Sequence, residues 1–155
     1  MRIENISATA QCISYEEVAE IKITRFEELI AWQRSRELFK MIQQLTSQRP
    51  LNENYALRGQ MTRSSLSVMS NIAEGFDRGG NKEFIQFLYI SKGSCSELRS
   101  QLYAAKDAGY LSQEDFKTLY NLAEEVSRIL QGLIGSLKRS NKRGIKFTPV
   151  TDSEL

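Results

Sequence analysis

The chain of 155 residues contains no histidine, only two cysteines and two prolines, and nine glycines. Without histidine, the commonest general base and the commonest imidazole metal ligand are both missing. A serine–histidine or cysteine–histidine nucleophile is therefore impossible. The sequence also has neither a phosphate-binding loop nor a dinucleotide-binding fingerprint. These absences predict a non-enzymatic protein without a cofactor or a bound metal.

One catalytic alternative survives the loss of histidine. Carboxylates can hold Mg²⁺ or Mn²⁺ without an imidazole ligand. Glu74, Asp77 and Glu97 are the residues that would supply them.

Long apolar runs are missing as well. No stretch of about 18 apolar residues occurs, and the N-terminus lacks the apolar region of a secretory signal, so we expect neither membrane spanning nor secretion. Cys12 and Cys95 make neither a paired metal-ligand motif nor a disulfide framework. A reduced, cytoplasmic setting is the expectation that follows.

Four helices are predicted from apolar residues that recur at intervals of three and four. Pro50 should follow the first helix, Gly79 and Gly80 should form the turn after the second, and Gly109 should end the third. Asn81 is a predicted N-cap, and Ser112 opens a capping box with Asp115. Glycines inside the helical patterns would permit neighbouring backbones to approach closely. The predicted helices are Glu27 to Thr46, Glu53 to Glu74, Asn81 to Gly109 and Ser112 to Leu137, and the internal glycines are Gly93, Gly132 and Gly135.

The predicted connections are short, with roughly five to eight residues each, so that sequential helices should be antiparallel. The fold class is therefore all-α, an up-down-up-down antiparallel four-helix bundle over residues 25–140. Residues 1–24 lack sustained periodicity and form an irregular N-terminal extension. Residues 141–155 read as a flexible tail.

Positive charge is concentrated near the C-terminus. Residues 26–137 carry thirteen basic and thirteen acidic side chains, whereas residues 138–155 carry five basic and two acidic ones. Such a cluster can neutralise phosphates, although cations at a helix end also complement the helix dipole. The candidate nucleic-acid-binding residues are Lys138, Arg139, Lys142, Arg143 and Lys146, together with Arg63 on the second helix.

The second predicted helix carries two stripes. Its apolar stripe predicts the core face, and a polar stripe lies beside it. The third helix offers polar side chains of its own, which predicts a polar seam between helices or between subunits, with Arg63 paired to Glu97 and with Asn71 or Glu74 bonded to Ser94. The predicted seam comprises Gln60, Arg63, Ser67, Asn71, Glu74, Ser94 and Glu97.

These motifs resemble the bacterial four-helix bundle family that includes proteins encoded in intervening sequences of large-subunit ribosomal RNA. The same family contains the accessory variability proteins of diversity-generating retroelements. The resemblance covers about residues 23–137. It is carried by the runs Phe26-Glu27-Glu28-Leu29-Ile30-Ala31-Trp32-Gln33, Ser70-Asn71-Ile72-Ala73-Glu74-Gly75 and Gly93-Ser94-x-x-Glu97-Leu98.

The resemblance implies a homo-oligomer, a ring-like pentamer in known relatives, with contacts to RNA or RNA–DNA. In the retroelement branch it also implies a reverse transcriptase as partner. The leading hypothesis is an oligomeric RNA-associated adaptor, of which a reverse transcriptase accessory subunit would be one form. The neutral charge balance of residues 26–137 favours the alternative, a structural protein–protein interaction module without nucleic acid.

Overall fold

Apolar residues at helical spacing build four α-helices in the computed structural model, which describes residues 23–140. A 3₁₀ turn at Phe26–Glu28 precedes the first helix, and a second one at Leu51–Glu53 follows it. The helices are α1 Ile30–Thr46, α2 Tyr55–Asp77, α3 Asn81–Asp107 and α4 Gln113–Arg139. No strand occurs in this range, and the predicted all-α class is confirmed.

The four helices form an antiparallel bundle. Each helix packs against two others, in the cyclic order α1, α2, α3, α4. The direction of α2 and α3 follows from their contacts, because Ser64 lies beside Glu97 whereas Gly75 lies beside Phe87. The predicted up-down-up-down architecture is therefore confirmed.

The core consists of the residues that the periodicity indicated. Leu38, Met61, Leu98 and Leu130, one from each helix, are fully buried. Burial of each such side chain contributes on the order of 1.5–3 kcal/mol. Ser65 is also fully buried, and its hydroxyl donates to the carbonyl of Met61 at 2.8 Å, which satisfies it within its own helix.

The helix boundaries show where local signals were misread. The first α-helix begins at Ile30, since Phe26–Glu28 forms a 3₁₀ turn instead. The second helix continues through Gly75 to Asp77, so the connection to α3 has three residues, 78–80, and is shorter than predicted. Gly79 has a φ of 80°, which permits this tight turn.

The caps differ in how well they were predicted. Ser112 caps α4 as expected, since its Oγ accepts from the Asp115 amide at 3.0 Å. At the start of α3, however, the N-cap is Gly80 and not Asn81. Asn54, which was not predicted, caps α2 by accepting from the amide of Leu57 at 3.1 Å.

The described residues include only the last two residues of the predicted N-terminal extension, 23 and 24, and none of the predicted tail. Ile23 packs against the core, and the amide of Thr24 donates to Glu28 at 2.9 Å. Residues 1–22 and 141–155, including the predicted binding residues Lys142, Arg143 and Lys146, lie outside the described range. Over residues 23–140, none of the helices combines the length and the apolar content that crossing a membrane requires.

Candidate nucleic-acid interface

The interface between α2 and α3 is lined by small and polar side chains. Some of them belong to the predicted polar seam. Ser67 Oγ and Ser94 Oγ are 2.9 Å apart and join the two helices. Asn71 Nδ2 donates to the Ser67 carbonyl at 2.8 Å and to its Oγ at 3.0 Å. Asn71 is thus linked to Ser94 through Ser67.

The predicted charged contacts of the seam take other partners. Glu97 accepts from Ser64 Oγ at 3.3 Å, and among the described residues it forms no ion pair with Arg63. Glu74 pairs at 2.7 Å with Arg78, the residue that directly follows α2, and not with Ser94. Both differences have the same cause: Arg63 and Glu74 are exposed, where nothing forces a long side chain to reach across the interface.

Six of the seven predicted seam residues, all except Ser94, line a shallow groove along the outside of this interface. Gln60 and Arg63 line it from α2, and Glu97 lines it from α3. Leu66 also lines the groove and is 43% exposed. Over residues 23–140, no group of three or more His, Cys, Asp or Glu side chains could hold a metal ion, so Glu74, Asp77 and Glu97 do not form a metal site.

Several residues that matter in this interface were not predicted. Ser64 is buried, donates to Glu97 and accepts from Gln101 Nε2 at 3.0 Å. Ser91 is fully buried and donates across the interface to the carbonyl of Val68. The sequence did contain a signal for them: small residues recur at intervals of three or four on both helices. Small side chains permit close helix packing, so this spacing indicates the faces at which α2 and α3 meet.

Gly75 shows how close that packing is. A Cβ at this position would lie 2.5 Å from the Cβ of Phe87, so that no side chain fits. The predicted glycines do not have this role, since a Cβ at Gly93 or Gly132 would meet no described atom within 4 Å, and at Gly135 only the side chain of Arg139.

The basic end of α4 lies against α3. Lys138 Nζ donates to the hydroxyl of Tyr89 at 2.8 Å and lies 5.2 Å from the centroid of its ring. Arg139 is exposed in the last turn of the helix. Because the partner of Lys138 is a tyrosine and not a carboxylate, Tyr89 holds Lys138 in place without forming an ion pair with it.

The single cysteine in the described range has no reactive character. Cys95 is buried in the core, and burial raises the pKa of its thiol to about 12. Since the thiolate is the nucleophilic form, this side chain is inert at neutral pH.

Four-helix topology and a cationic end of α4 together define a helical bundle with a candidate anion-binding surface. The chain belongs to the 23S rRNA-intervening sequence protein family, whose model matches residues 27–132. The bundle is also similar to the crystal structure of a protein of unknown function from the S23 ribosomal protein family of Bacteroides thetaiotaomicron. That similarity has a TM-score of 0.63 at 20% identity and covers 68% of this chain and 98% of the other. No curated protein matches.

Proposed function

We propose that this chain is a non-enzymatic, oligomeric adaptor of the bacterial cytoplasm that binds RNA through the basic end of α4. The observation that carries the proposal is the neutral partner of Lys138, which leaves positive charge available at this end of the bundle. The tail that follows adds Lys142 and Arg143 in sequence. In RNA, the phosphate groups are the anions that such a cluster attracts.

Three further observations support parts of this proposal. The absence of histidine and the inert Cys95 argue for a non-enzymatic role. Membership of a family named for an rRNA intervening sequence is consistent with an RNA partner. An oligomeric ring, pentameric as in known relatives, would multiply the basic ends on one assembly and raise the local phosphate affinity. A retroelement reverse transcriptase is the protein partner that this adaptor would serve.

The experiment is an RNA-binding titration followed by fluorescence anisotropy at several salt concentrations. We expect wild-type binding to weaken with salt. Replacing Lys138, Arg139, Lys142 and Arg143 by Gln should weaken binding at low salt and reduce the slope of log K against log salt by up to about 2.8, for four contacts with a single strand.

A control variant with the same change in net charge shows whether position matters. It replaces Arg25, Arg36, Lys40 and Arg49 by Gln, all of which lie before α2. This variant should retain RNA binding. Equal losses in both variants, or no change in either, would contradict a site at the end of α4.

A second candidate function, a protein-only interaction module, is favoured by one observation. Leu66 and Ile90 are 43% and 50% exposed on the two helices that enclose the polar seam. Exposed apolar side chains beside polar groups are typical of protein interfaces. This function predicts a complex that survives high salt and a purified protein that retains no RNA.

A further inference from the structure

A row of aromatic and basic residues runs along α3 on the side that faces α4. Its members recur at intervals of three and four, which places them on one face of the helix. The three cations recur every seven residues, or about 10 Å along the helix axis. This row, the α3 stripe, consists of Tyr89, Lys92, Ser96, Arg99, Tyr103 and Lys106.

Every cation of the α3 stripe is held by an uncharged partner on α4. Lys92 Nζ donates to Gln131 Oε1 at 2.5 Å. Arg99 Nη2 donates to the hydroxyl of Tyr120 at 2.8 Å, and its guanidinium lies 4.9 Å from the centroid of that ring. The ammonium of Lys106 lies 4.5 Å from the ring centroid of Phe116. These contacts order the three side chains, and none of the three forms an ion pair within residues 23–140.

Two arginines elsewhere in the bundle are paired with carboxylates, whereas Arg36 and Arg58 lie over aromatic rings as the cations of the stripe do. Arg34 lies 2.7 Å from Glu125, Arg78 lies 2.7 Å from Glu74, and each pair cancels its charge. Near the α3 stripe, Glu124 attracts Arg99 electrostatically but forms no ion pair with it within the described residues. The stripe is therefore a strip of positive charge on a bundle whose residues 26–137 carry thirteen basic and thirteen acidic side chains in total.

The aromatic members of the stripe are accessible. Tyr89 and Tyr103 are 44% and 49% exposed. The ring of Tyr103 packs against Phe116 and Tyr120 at centroid distances of 4.9 and 5.6 Å, which fixes its orientation. Rings that are already ordered lose little conformational entropy when a ligand stacks on them.

We propose that the α3 stripe binds single-stranded RNA, with bases stacked on its two tyrosines and phosphates beside its three cations. A positive track combined with exposed aromatic rings is the arrangement that recognises single strands. Bases in a duplex are already stacked on one another and are not available to the rings. Lys138 on Tyr89 continues the track toward the basic end of α4. This inference rests on the proposed RNA-binding function and locates its main surface on α3.

The test compares a labelled single-stranded RNA of twelve nucleotides with a duplex of the same length, by fluorescence anisotropy on the full chain. We expect Tyr89→Leu and Tyr103→Leu each to weaken single-strand binding by about fivefold or more and to change duplex binding little. The double variant Lys92→Gln with Lys106→Gln should lower the salt slope by about 1.4.

Matched controls come from other faces of the bundle. Tyr55 is also an exposed tyrosine, 73% accessible and beside Arg58, so Tyr55→Leu removes the same chemistry elsewhere. Arg36→Gln with Lys40→Gln on α1 removes two charges away from the stripe. Both controls should leave RNA binding unchanged, and all variants should retain the wild-type helical circular dichroism.

The outcomes separate this inference from the proposed function. If RNA binds and is lost only when Lys138, Arg139, Lys142 and Arg143 are replaced, the adaptor function stands and the α3 stripe is not the surface. If wild-type protein binds no RNA even at low salt, both are wrong. A third outcome also contradicts the inference. If polyglutamate displaces the labelled RNA as well as unlabelled RNA does, and the two tyrosine variants bind that RNA as tightly as wild type, the stripe recognises acidic protein instead.

Discussion

The two flanks of α3 are built from opposite kinds of side chain. Toward α2 it presents Ser91 and Ser94, which bond directly to the neighbouring helix, and Phe87 packs against Gly75. Toward α4 it presents long cations that lie on neutral partners. Small buried polar groups fix the spacing of two helices, whereas long amphipathic ones leave charge at the surface. One helix thus combines a structural flank with a flank suited to binding.

The largest expected effect concerns the close contact on the α2 flank. Gly75→Ala places a methyl group 2.5 Å from the Cβ of Phe87, so the helices must move apart. We expect the free energy of unfolding to fall by about 1–3 kcal/mol. Urea unfolding monitored by circular dichroism measures the change.

Gly93→Ala is the matched control on α3, since no described atom lies within 4 Å of the added Cβ. Here the higher helix propensity of alanine should raise stability by up to about 1 kcal/mol. Changes of the same sign in the two variants would contradict the close contact at Gly75.

A smaller effect is expected for the hydrogen bonds of the α2 flank. Ser64→Ala removes the acceptor of Gln101 Nε2 and the donor to Glu97. We expect a loss of about 1–2 kcal/mol, and a double-mutant cycle with Gln101→Ala should give a coupling of about 0.5–1.5 kcal/mol. Ser96→Ala on the α3 stripe is the control, because the hydroxyl of Ser96 donates to the carbonyl of Lys92 within its own helix at 3.3 Å.

The smallest expected effect is a difference in the pH dependence of stability. It distinguishes cations that pair with a carboxylate from cations that lie on an uncharged side chain. Hydrogen bonding from Arg34 lowers the pKa of Glu125. The contribution of this pair is therefore complete above the unfolded pKa of glutamate, about 4.3, and is lost as pH falls through the folded value. Glu125→Gln should destabilise by about 0.2–1 kcal/mol at pH 7 and by less at pH 3, where protonation of Glu125 weakens the pair.

Tyr120→Phe is the counterpart on the α4 flank of α3. It removes the hydroxyl that accepts from Arg99 and keeps the ring on which the guanidinium lies, at a cost of up to about 1 kcal/mol. Since this contact contains no carboxylate, its cost should be the same at pH 3 and pH 7. Urea unfolding of both variants at the two pH values measures the contrast. A pH-dependent effect of Tyr120→Phe would show that Arg99 relies on a carboxylate.

Much of the fold was predictable because its signals are local. The repeat from Phe84 to Ala105 identified the buried face of α3 without reference to any other helix. Ser112 and Asp115 lie three residues apart, so their cap was also readable. The end of α2 could not be predicted in this way. A glycine usually indicates the end of a helix, but Gly75 lies within α2 and permits close contact with Phe87 on the next helix.

The candidate sites were harder to predict. Arg63 and Glu97 have the right charges for a pair, but both side chains are exposed, and Glu97 accepts from Ser64 instead. The α3 stripe was not predicted, because its cations are available for binding only if α4 places uncharged side chains beside them. Spacing alone does not distinguish a cation on a phenol from a cation on a carboxylate.

The sequence by itself determined four helices, their buried faces and the bundle they form, since apolar spacing and capping act within a few residues of one another. Only the tertiary structure decided which cations form ion pairs with carboxylates and which lie on uncharged side chains. Arg34 reaches Glu125 across 91 residues, whereas Arg99 reaches Tyr120 on the same α4 helix. That choice depends on how each helix is rotated about its own axis, and the rotation is set by packing of the whole core.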